Sequence, residues 1–519
     1  MAQAPGSIGR MRLTFEALMV AALGAAHSLP FVHTWAWALQ MLAVALLAWR
    51  VSTVTPRRAA VLGLVFGTAW LAAGTWWLFI SLHRYGGLPA WMAVLAIALL
   101  SAFLSLYLAL AMAAFARWRS GCGWRDALLF AAVWLLAELA RGVIFTGFPW
   151  VASGYAHVDG PLAVLAPWVG VYGIGFVAVG LAAWPVMACR RGLRSRLLPW
   201  LAPLFSLAGV LGACALAGPA GFSQPNGTLK VTLLQGNVPQ NEKFEMTLMP
   251  QALAWTSEQL LAAQGDLVVG PETVIPLLPR QMDREYWNTV LHHFQRGPKA
   301  ALIGLPLGDE TEGYTNSAAG ISAGTEAAPG GFYRYDKHHL VPFGEFIPFG
   351  FKWFTQMMNI PLGDFNRGLL VAPSFAVKGE RIGVNICYED LFGEELAARF
   401  ESPAAAPTIF ANISNIGWFG DTIAIDQHLH ISRMRALEFQ RPMIRATNTG
   451  ATVIIDHQGR VTHSLPPYTR GVLDGDVQGR TGLTPFVRWA SMFGLWLPAV
   501  LAFVVIAAAA RTRRRQRLA

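Results

Sequence analysis

The chain has 519 residues, of which 54% are hydrophobic and only 13% are charged. This composition excludes an ordinary soluble protein, so part of the chain is expected to lie in lipid. The net charge of +10 would suit a nucleic-acid-binding protein, but residues 221–487 hold 20 Lys and Arg against 26 Asp and Glu. The basic excess therefore belongs to the apolar remainder, where arginines in short loops set membrane topology.

Eight apolar runs are long enough to cross a bilayer, which takes roughly 20 residues each. They lie at about 13–30, 34–50, 59–82, 88–116, 126–145, 162–188, 196–219 and 488–510. The predicted domains are therefore transmembrane helices one to seven in residues 1–220, one polar domain in 221–487, and helix eight with a basic tail in 488–519. Within helix five, Glu138 and Arg141 are predicted to neutralise each other rather than to form a proton path.

The arginines predict the orientation of these helices, because positive residues in short loops stay on the cytoplasmic side. Three arginines, Arg84, Arg141 and Arg488, lie near helix ends on one side of the predicted membrane. Seventeen lie on the other side: Arg10, Arg12, Arg50, Arg57, Arg58, Arg117, Arg119, Arg125, Arg190, Arg191, Arg194, Arg196, Arg511, Arg513, Arg514, Arg515 and Arg517. Both termini are thus predicted to be cytoplasmic and the polar domain extracytoplasmic. A cleavable signal peptide ending at Gly24-Ala25-Ala26 is an alternative for the first run and would leave the remaining topology unchanged.

The polar domain changes to short strands that alternate with amphipathic helices. Strands are predicted at 229–238, 267–269, 301–305, 317–321, 381–386, 408–412, 443–447, 452–456 and 471–477. Helices are predicted at 250–263, 284–295, 394–400 and 425–440. This alternation is typical of a layered α/β sandwich.

Three polar residues of this domain stand at the end of an apolar strand or in a turn after one: Glu272, Lys337 and Cys387. Cys387 is the only cysteine of the domain, so it has no disulfide partner there. A thiol attacks as thiolate and needs a base or cation to react at neutral pH. Glu272 could take its proton and Lys337 could stabilise the thiolate and an oxyanion. Taken singly, each residue has a common structural explanation: a packed thiol, a turn carboxylate and a solvated lysine.

Together these residues resemble the Glu-Lys-Cys triad of the nitrilase superfamily. Its motifs read here as Gly270-Pro271-Glu272-Thr273, Lys337 followed by Pro342-Phe343-Gly344-Glu345, and Asn385-Ile386-Cys387-Tyr388-Glu389. The resemblance covers residues 229–477 and implies a nitrilase-like αββα sandwich. It also implies that Glu345 and Glu389 orient the lysine and the base, and that a backbone N–H near Tyr388 helps to hold the oxyanion.

The order of seven apolar segments, this domain and one terminal helix resembles the apolipoprotein N-acyltransferase family. Three local motifs support the resemblance: Arg141-Gly142 through Trp150, Gln235 through Gln240, and Ser432 through Glu438. It implies a bacterial inner-membrane enzyme in which Cys387 carries an acyl thioester from a phospholipid to the α-amine of a diacylglyceryl-modified apolipoprotein. It implies no cofactor, no nucleic-acid partner and a monomer.

Two positions depart from the family pattern. Phe244 replaces a Trp that the family tends to have, and Ile416 replaces an Asp, so Ile416 is given no catalytic role. The apolar segment 346–365 is predicted either as a mobile lid that dips into lipid or as a helix buried against the sheet. The predicted lipid contacts are Phe244, Trp353, Phe354, Met357, Met358 and Trp418.

Other residue patterns favour no metal and leave two further functions open. His428 and His430 resemble a metal pair, but no third ligand is evident, and structural roles are predicted for both. A membrane-tethered amidase or nitrilase would use the same triad with water as the acceptor. A non-catalytic lipoprotein-binding membrane protein is the alternative outside enzymes, although all three triad positions are filled.

Overall fold

The computed structural model describes residues 5–189, 208–209, 211–214, 216, 221–351, 353 and 364–518. The chain divides into two compact units. The first comprises Met1–Trp76, Trp91–Gly218 and Leu495–Ala519, and the second comprises Trp77–Ala90 and Pro219–Gly494.

The first unit is built from apolar helices. They are α1 (Pro5–His27), α2 (Trp37–Val51), α3 (Pro56–Gly74), α4 (Ala90–Trp118), α5 (Gly123–Val143), α6 (Ala166–Cys189) and, after the second unit, α12 (Trp496–Leu518). Among the described residues, six segments are long and apolar enough to cross a membrane: Leu13–Phe31, Thr34–Val51, Ala90–Trp118, Gly123–Thr146, Pro161–Ala188 and Trp496–Leu518. The prediction of a membrane helical bundle is confirmed.

The outer surface of this unit is apolar where a soluble protein would be polar. On α4, large apolar side chains with 44% to 69% exposure recur along one side: Val94, Leu95, Leu99, Phe103, Leu106 and Leu110. Apolar side chains at helical spacing are favourable in contact with lipid chains and unfavourable in contact with water. This face therefore has the character of a lipid-facing surface.

Two predicted spans have different bounds in the structure. The third was expected at 59–82, but α3 ends at Gly74, and Ile80–Tyr85 forms a separate π-helical turn. The eighth was expected from 488, but a short amphipathic helix, α11 (Pro485–Phe493), precedes α12 and is separated from it by Gly494 at φ 53°. The seventh, at 196–219, lies largely outside the described residues.

Glu138 and Arg141 of α5 contact each other as predicted, with Arg141 Nη2 3.9 Å from Glu138 Oε1. Glu138 also accepts hydrogen bonds from the backbone N–H and hydroxyl of Ser153. Arg141 donates to the carbonyls of Phe148 and Trp150. These hydrogen bonds join α5 to the loop after it, which is how a charged pair is tolerated inside an apolar bundle.

The second unit contains two six-stranded sheets. The first sheet has β1 (Ser223–Gln235), β2 (Leu267–Val269), β3 (Ala300–Asp309), β4 (Gly313–Ile321), β5 (Tyr333–Asp336) and β12 (Gly471–Gly482), in the order β12-β1-β2-β3-β4-β5. The second has β6 (Phe375–Val377), β7 (Glu380–Ile386), β8 (Ile409–Ser414), β9 (Met443–Thr447), β10 (Val453–Ile455) and β11 (Val461–Ser464), in the order β11-β10-β9-β8-β7-β6.

Each sheet is parallel at its centre and antiparallel at its edges. In the first, β1, β2 and β3 are parallel, with Val231 opposite Leu267 and Leu267 opposite Ala300. In the second, β7, β8 and β9 are parallel, with Ile386 opposite Ile413. Parallel neighbours end at the same edge of a sheet, so residues that follow them are brought together.

Apolar side chains from alternate positions of both sheets form one core, which includes Leu229, Val231 and Leu233 of β1 and Val384 and Ile386 of β7. Helices α7 (Met249–Ala262) and α8 (Arg284–Arg296) cover the outer face of the first sheet. Helices α9 (Gly393–Ala398) and α10 (Ala424–Phe439) lie beside the second sheet. The rings of Phe439 of α10 and Phe410 of β8 are 5.2 Å apart. The predicted αββα sandwich is confirmed.

The segment Trp77–Ala90 belongs to this second unit although it lies between α3 and α4 in the sequence. The indole of Trp77 packs on Phe419 with ring centroids 4.3 Å apart, and its Nε1 donates to Gln427 Oε1 at 3.0 Å. Tyr85 meets Trp418 edge-on at 5.6 Å. The predicted boundary at residue 221 therefore does not capture the whole compact unit.

Candidate active site

The three predicted triad residues each follow a strand of the second unit. Glu272 comes after β2, Lys337 directly after β5 and Cys387 directly after β7. Lys337 Nζ lies 3.5 Å from Glu272 Oε1. The thiol of Cys387 interacts electrostatically with both charged groups. The fold therefore brings together residues that are far apart in sequence.

The carboxylate of Glu272 is held on both oxygens. Asn316 Nδ2 donates to Oε1 at 2.7 Å, and the backbone N–H of Asn415 donates to Oε2 at 2.8 Å. Asn316 belongs to β4 and Asn415 follows β8, so one partner comes from each sheet. Glu272 is 8% exposed. A carboxylate fixed in this way is available as a base in one orientation.

Lys337 is fixed by a second carboxylate. Its Nζ donates to Glu345 Oε1 at 2.9 Å, and Lys337 is 1% exposed. Glu345 accepts from Asn316 Nδ2 at 2.6 Å and from the backbone N–H of Val341 at 2.8 Å. Glu345 thus contacts the lysine directly, and the orienting role that the resemblance implies for it stays a prediction.

The charges of these groups follow from their surroundings. Burial alone would raise the pKa of Glu272, but Lys337 and Asn316 outweigh it and hold that pKa below its ordinary value. Burial alone would lower the pKa of Lys337, but Glu345 and Glu272 hold it above its ordinary value. Both groups are therefore charged at neutral pH.

The thiol behaves differently. Burial, together with the charge of Glu272, raises the pKa of Cys387 to about 12. The sequence suggested a thiolate stabilised by the neighbouring lysine, whereas the raised pKa favours a protonated thiol at neutral pH, beside a carboxylate whose lowered pKa favours the ionised form. A thiol must lose its proton in order to attack, and an ionised carboxylate is a group that can receive it.

Glu389 acts on the backbone rather than on the base. It accepts from the backbone N–H groups of His338, His339 and Ile386 at 2.7, 3.1 and 2.7 Å, and from the Tyr335 hydroxyl at 2.7 Å. These bonds connect the residues next to Lys337 with the residue before the nucleophile. The resemblance implied that Glu389 orients the base. Its observed hydrogen bonds instead brace the two turns that carry Lys337 and Cys387.

Three further residues of the site were not predicted. Asn316 and Asn415 hold Glu272 as described above. Lys243, which is 5% exposed, donates to the backbone carbonyl of Glu272 at 3.0 Å. Burial lowers the pKa of Lys243 to about 8, against the opposing effect of Glu272. The only sequence signal for Lys243 was its place beside Phe244 after the Gln235–Gln240 motif.

The predicted lipid contacts fall into two groups. Trp353 is 60% exposed, while Phe244 and Trp418 are half-buried, and Trp418 contacts Tyr85. Phe354, Met357 and Met358 lie outside the described residues.

Tyr388 is buried, with its ring 5.2 Å from that of Phe392. His428, for which a structural role was predicted, contacts Asp390 Oδ1 at 2.9 Å.

Comparison with known proteins covers almost the whole chain. Residues 23–184 match the family model of the apolipoprotein N-acyltransferase N-terminal domain, and residues 230–486 match that of carbon-nitrogen hydrolases. An apolipoprotein N-acyltransferase of Verminephrobacter eiseniae is 54% identical over 505 residues, covering 92% of each chain. One of Ralstonia nicotianae is 48% identical over 510 residues, covering 97% of this chain and 95% of the relative.

The chain belongs to the apolipoprotein N-acyltransferase family. It is accordingly an N-acyltransferase of the nitrilase superfamily and a membrane protein. Among solved structures, a carbon-nitrogen hydrolase from Helicobacter pylori G27 aligns with a TM-score of 0.36 and 15% identity, over 52% of this chain and 94% of that chain.

Gly304 of β3 lies directly beneath the turn that carries Glu272 in this N-acyltransferase. A Cβ at this position would come within 2.4 Å of the Pro271 carbonyl oxygen and 2.8 Å of Glu272 Cα. We expect Gly304→Ala to displace the base and to reduce acyl transfer about 10- to 100-fold, because small misplacements of a catalytic group have effects of this size. The measurement is the initial rate of transfer by the purified enzyme.

Gly471→Ala is the matched control, because its nearest neighbour would be a Leu465 side-chain atom at 3.6 Å, an ordinary contact. It should retain the parent rate. Parent-level activity in Gly304→Ala would show that the turn relaxes without moving the carboxylate.

Proposed function

We propose that this chain transfers an acyl group from a membrane phospholipid, through a thioester on Cys387, to the α-amine of the diacylglyceryl-modified N-terminal cysteine of an apolipoprotein. The observation that carries the proposal is the electrostatic interaction of the partly buried thiol of Cys387 with the buried Glu272 and Lys337, each of which follows a strand. The names of the relatives supply the class of acceptor.

In the first step the Cys387 sulfur attacks the sn-1 ester carbonyl of a phospholipid such as phosphatidylethanolamine. The thiol proton passes to Glu272 as the carbon–sulfur bond forms. Lys337 and the backbone N–H of Tyr388 stabilise the negative charge that develops on the carbonyl oxygen. The ester C–O bond then breaks, the proton on Glu272 passes to the leaving oxygen, and lysophospholipid departs.

In the second step the α-amine of the apolipoprotein attacks the thioester carbonyl. Glu272 takes a proton from the amine, the same donors hold the oxyanion, and the carbon–sulfur bond breaks. The thiolate regains a proton from Glu272, which restores the resting enzyme. The net change is an ester exchanged for an amide, with no oxidation and no added cofactor.

The charge distribution suits this sequence of steps. Two carboxylates, Glu272 and Glu345, share the ammonium of Lys337, and Lys243 Nζ lies 3.0 Å from the backbone carbonyl oxygen of Glu272. Proton transfer to Glu272 removes one negative charge at the moment when another forms on the substrate. The charge in the cavity therefore moves rather than accumulates, which lowers the cost of forming an oxyanion in a buried site.

The proposed location is the bacterial inner membrane, with both termini cytoplasmic and the catalytic unit periplasmic, as a monomer. Its support is the distribution of arginines between the predicted loops. Both proposed substrates are lipid-anchored, so a thiol on a membrane-attached unit meets them at the bilayer surface. Exposed Phe349, at 103%, and Trp353, at 60%, are apolar groups that a lipid surface would accommodate. The segment 346–365, for which a lid or a buried helix was predicted, lies partly outside the described residues.

The proposal is tested by intact-protein mass spectrometry of the purified enzyme in phosphatidylethanolamine-containing nanodiscs. We expect a mass increase of one acyl chain that hydroxylamine removes. Addition of a diacylglyceryl-peptide acceptor should discharge the adduct and yield an N-acylated peptide. Discharge to water at the same rate with or without acceptor would favour an amidase-type hydrolase. The absence of an adduct with any phospholipid would favour a non-catalytic binding protein.

A further inference from the structure

His428 of α10 contacts the nucleophilic residue although 41 positions separate them in the sequence. Its Nε2 lies 3.2 Å from the Cys387 carbonyl oxygen and 2.9 Å from Asp390 Oδ1. Its Nδ1 lies 3.2 Å from Arg445 Nη2. His428 is 1% exposed, and the proposed mechanism assigns it no role.

The partners of the ring fix its tautomer. A guanidinium can only donate hydrogen bonds, so His428 Nδ1 accepts from Arg445 and carries no proton. The proton is therefore on Nε2, which donates to Asp390 and to the Cys387 carbonyl. Burial is the main reason that the pKa of His428 lies below its ordinary value, and Arg445 adds to this against the opposing effect of Asp390. His428 is accordingly a neutral donor.

The ring is held by buried polar groups that also bond one another. Ser432 donates to Asp390, and Arg445 donates to Ser432 and, at 2.9 Å, to the backbone carbonyl of His428. Arg445 Nη1 also lies 3.6 Å from Asp390 Oδ2, so the two charges compensate each other. Asp390 is 0% and Arg445 1% exposed. Such a network is rigid when its members are bonded in this way, and it leaves the imidazole one orientation.

The carbonyl that His428 holds belongs to a residue in an unusual backbone conformation. Cys387 has φ 53°, a region that non-glycine residues seldom adopt and that surrounding contacts must maintain. Asn412 Nδ2 donates to the same carbonyl at 3.1 Å. Two side chains, one from β8 and one from α10, therefore fix this oxygen.

The position of this oxygen determines where the next N–H points. The described residues contain no cis peptide bond, so the Cys387 C=O and the Tyr388 N–H point in opposite directions across one peptide plane. Holding the carbonyl toward His428 and Asn412 directs the Tyr388 N–H away from them. That N–H is the donor assigned to the oxyanion in the proposed function.

We propose that His428 is a positioning residue for acyl transfer, which fixes the Cys387–Tyr388 peptide so that the Tyr388 N–H meets the oxyanion. This inference rests on the proposed function. It predicts a defect confined to steps in which an oxyanion forms, since Glu272, which takes the thiol proton, and Lys337 beside it are held by other contacts.

Two rates measured on the same protein test the inference. The first is formation of the acyl-enzyme from phosphatidylethanolamine, and the second is alkylation of Cys387 by iodoacetamide at the same pH, a displacement that forms no oxyanion. We expect His428→Leu to slow acylation about 10- to 100-fold, because oxyanion donors contribute on this scale. Alkylation should stay within about threefold of the parent.

His430→Leu is the matched control, because it makes the same change on the same helix at a residue that contacts Arg433. It should leave both rates at the parent level. His428→Gln, whose amide can donate to the Cys387 carbonyl, should recover most of the acylation rate. His428→Asn, whose amide is too short to do so, repeats the loss in a polar side chain if the leucine variant does not fold.

Each outcome bears on the inference. Parent-level acylation in both His428→Leu and His428→Asn would overturn it. An equal fall in acylation and alkylation would overturn it as well, because His428 would then merely maintain the fold around the thiol. A parent enzyme that forms no acyl-enzyme would contradict both the proposed function and this inference. If the parent does form an acyl-enzyme, the rates of the variants test this inference alone.

Discussion

Replacement of Cys387 with serine is expected to abolish acyl transfer, with a loss on the order of 10⁴-fold or more. A hydroxyl is a far weaker acid than a thiol, and Glu272, whose pKa is held below its ordinary value, is a weak base for it. The acyl-enzyme should therefore not accumulate. The measurement is the combination of steady-state transfer rate and adduct mass, for Cys387→Ser and for Cys387→Ala, which has no nucleophile.

Cys122→Ser is the control for this pair. Cys122 is a free, partly exposed cysteine just before α5, and the proposed mechanism does not use it. Its serine variant should acylate as the parent does. An adduct on Cys387→Ala equal to that of the parent would place the nucleophile elsewhere and remove the basis of the mechanism.

Glu272→Gln should reduce acyl transfer about 10²- to 10⁴-fold at neutral pH, the range typical of a lost general base. Glutamine has nearly the same shape and can still accept the Asn415 N–H, but it cannot take a proton. With the pKa of Cys387 at about 12 in the parent, little thiolate forms unaided at pH 7. The rate of acyl-enzyme formation measures this loss.

The pH dependence of the same variant gives a second test. In the parent, the carboxylate persists across neutral pH and is lost only as pH falls through its lowered pKa, so activity should decline on the acid side alone. In Glu272→Gln the thiol must lose its proton to the solvent. The residual rate should therefore rise about tenfold per pH unit at pH values below the pKa of the thiol. That pKa should itself be lower than in the parent, because the charge of Glu272 is among the causes that raise it.

Glu285→Gln provides the matched control, since Glu285 is exposed in the first turn of α8. It should keep the activity and pH profile of the parent. A residual rate of Glu272→Gln that does not change with pH would show that another group removes the thiol proton.

The central strands and the three principal side chains could be predicted because their signals are local. The apolar run before Glu272 and the run before Cys387 became β2 and β7 with nearly the expected bounds. Strands β5, β6 and β11 were missed. All three are short and lie at sheet edges, and β11 has all four residues exposed and so shows no alternation of buried and exposed positions.

Hydropathy also misplaced the end of the third span. The run Trp76 to Ile80 is apolar enough to prolong a membrane helix, yet Trp77 is buried against Phe419 in the catalytic unit. Transfer of apolar side chains out of water is favourable both into lipid and into a protein core. Composition therefore cannot distinguish a membrane helix from a segment buried in the protein. The distinction depends on which residues are nearby in the fold.

The supporting residues of the site could not be predicted for a similar reason. Asn316, Asn415 and Lys243 belong to polar stretches with many explanations, and their roles arise only when β4, the turn after β8 and the segment after β1 meet around Glu272. Their contacts join residues between 29 and 143 positions apart. Local sequence carries little information about partners at such separations.

The inclusion of Trp77–Ala90 in the catalytic unit has a practical consequence. A fragment cut to residues 221–494 would omit the strip that covers Phe419 and bonds Gln427, the neighbour of His428. Truncation would thus expose an aromatic patch and remove a contact from α10, the helix whose His428 bonds the Cys387 carbonyl. A water-soluble version of this enzyme would need that segment to be restored. Its absence would affect the position of Cys387 through a single turn of α10.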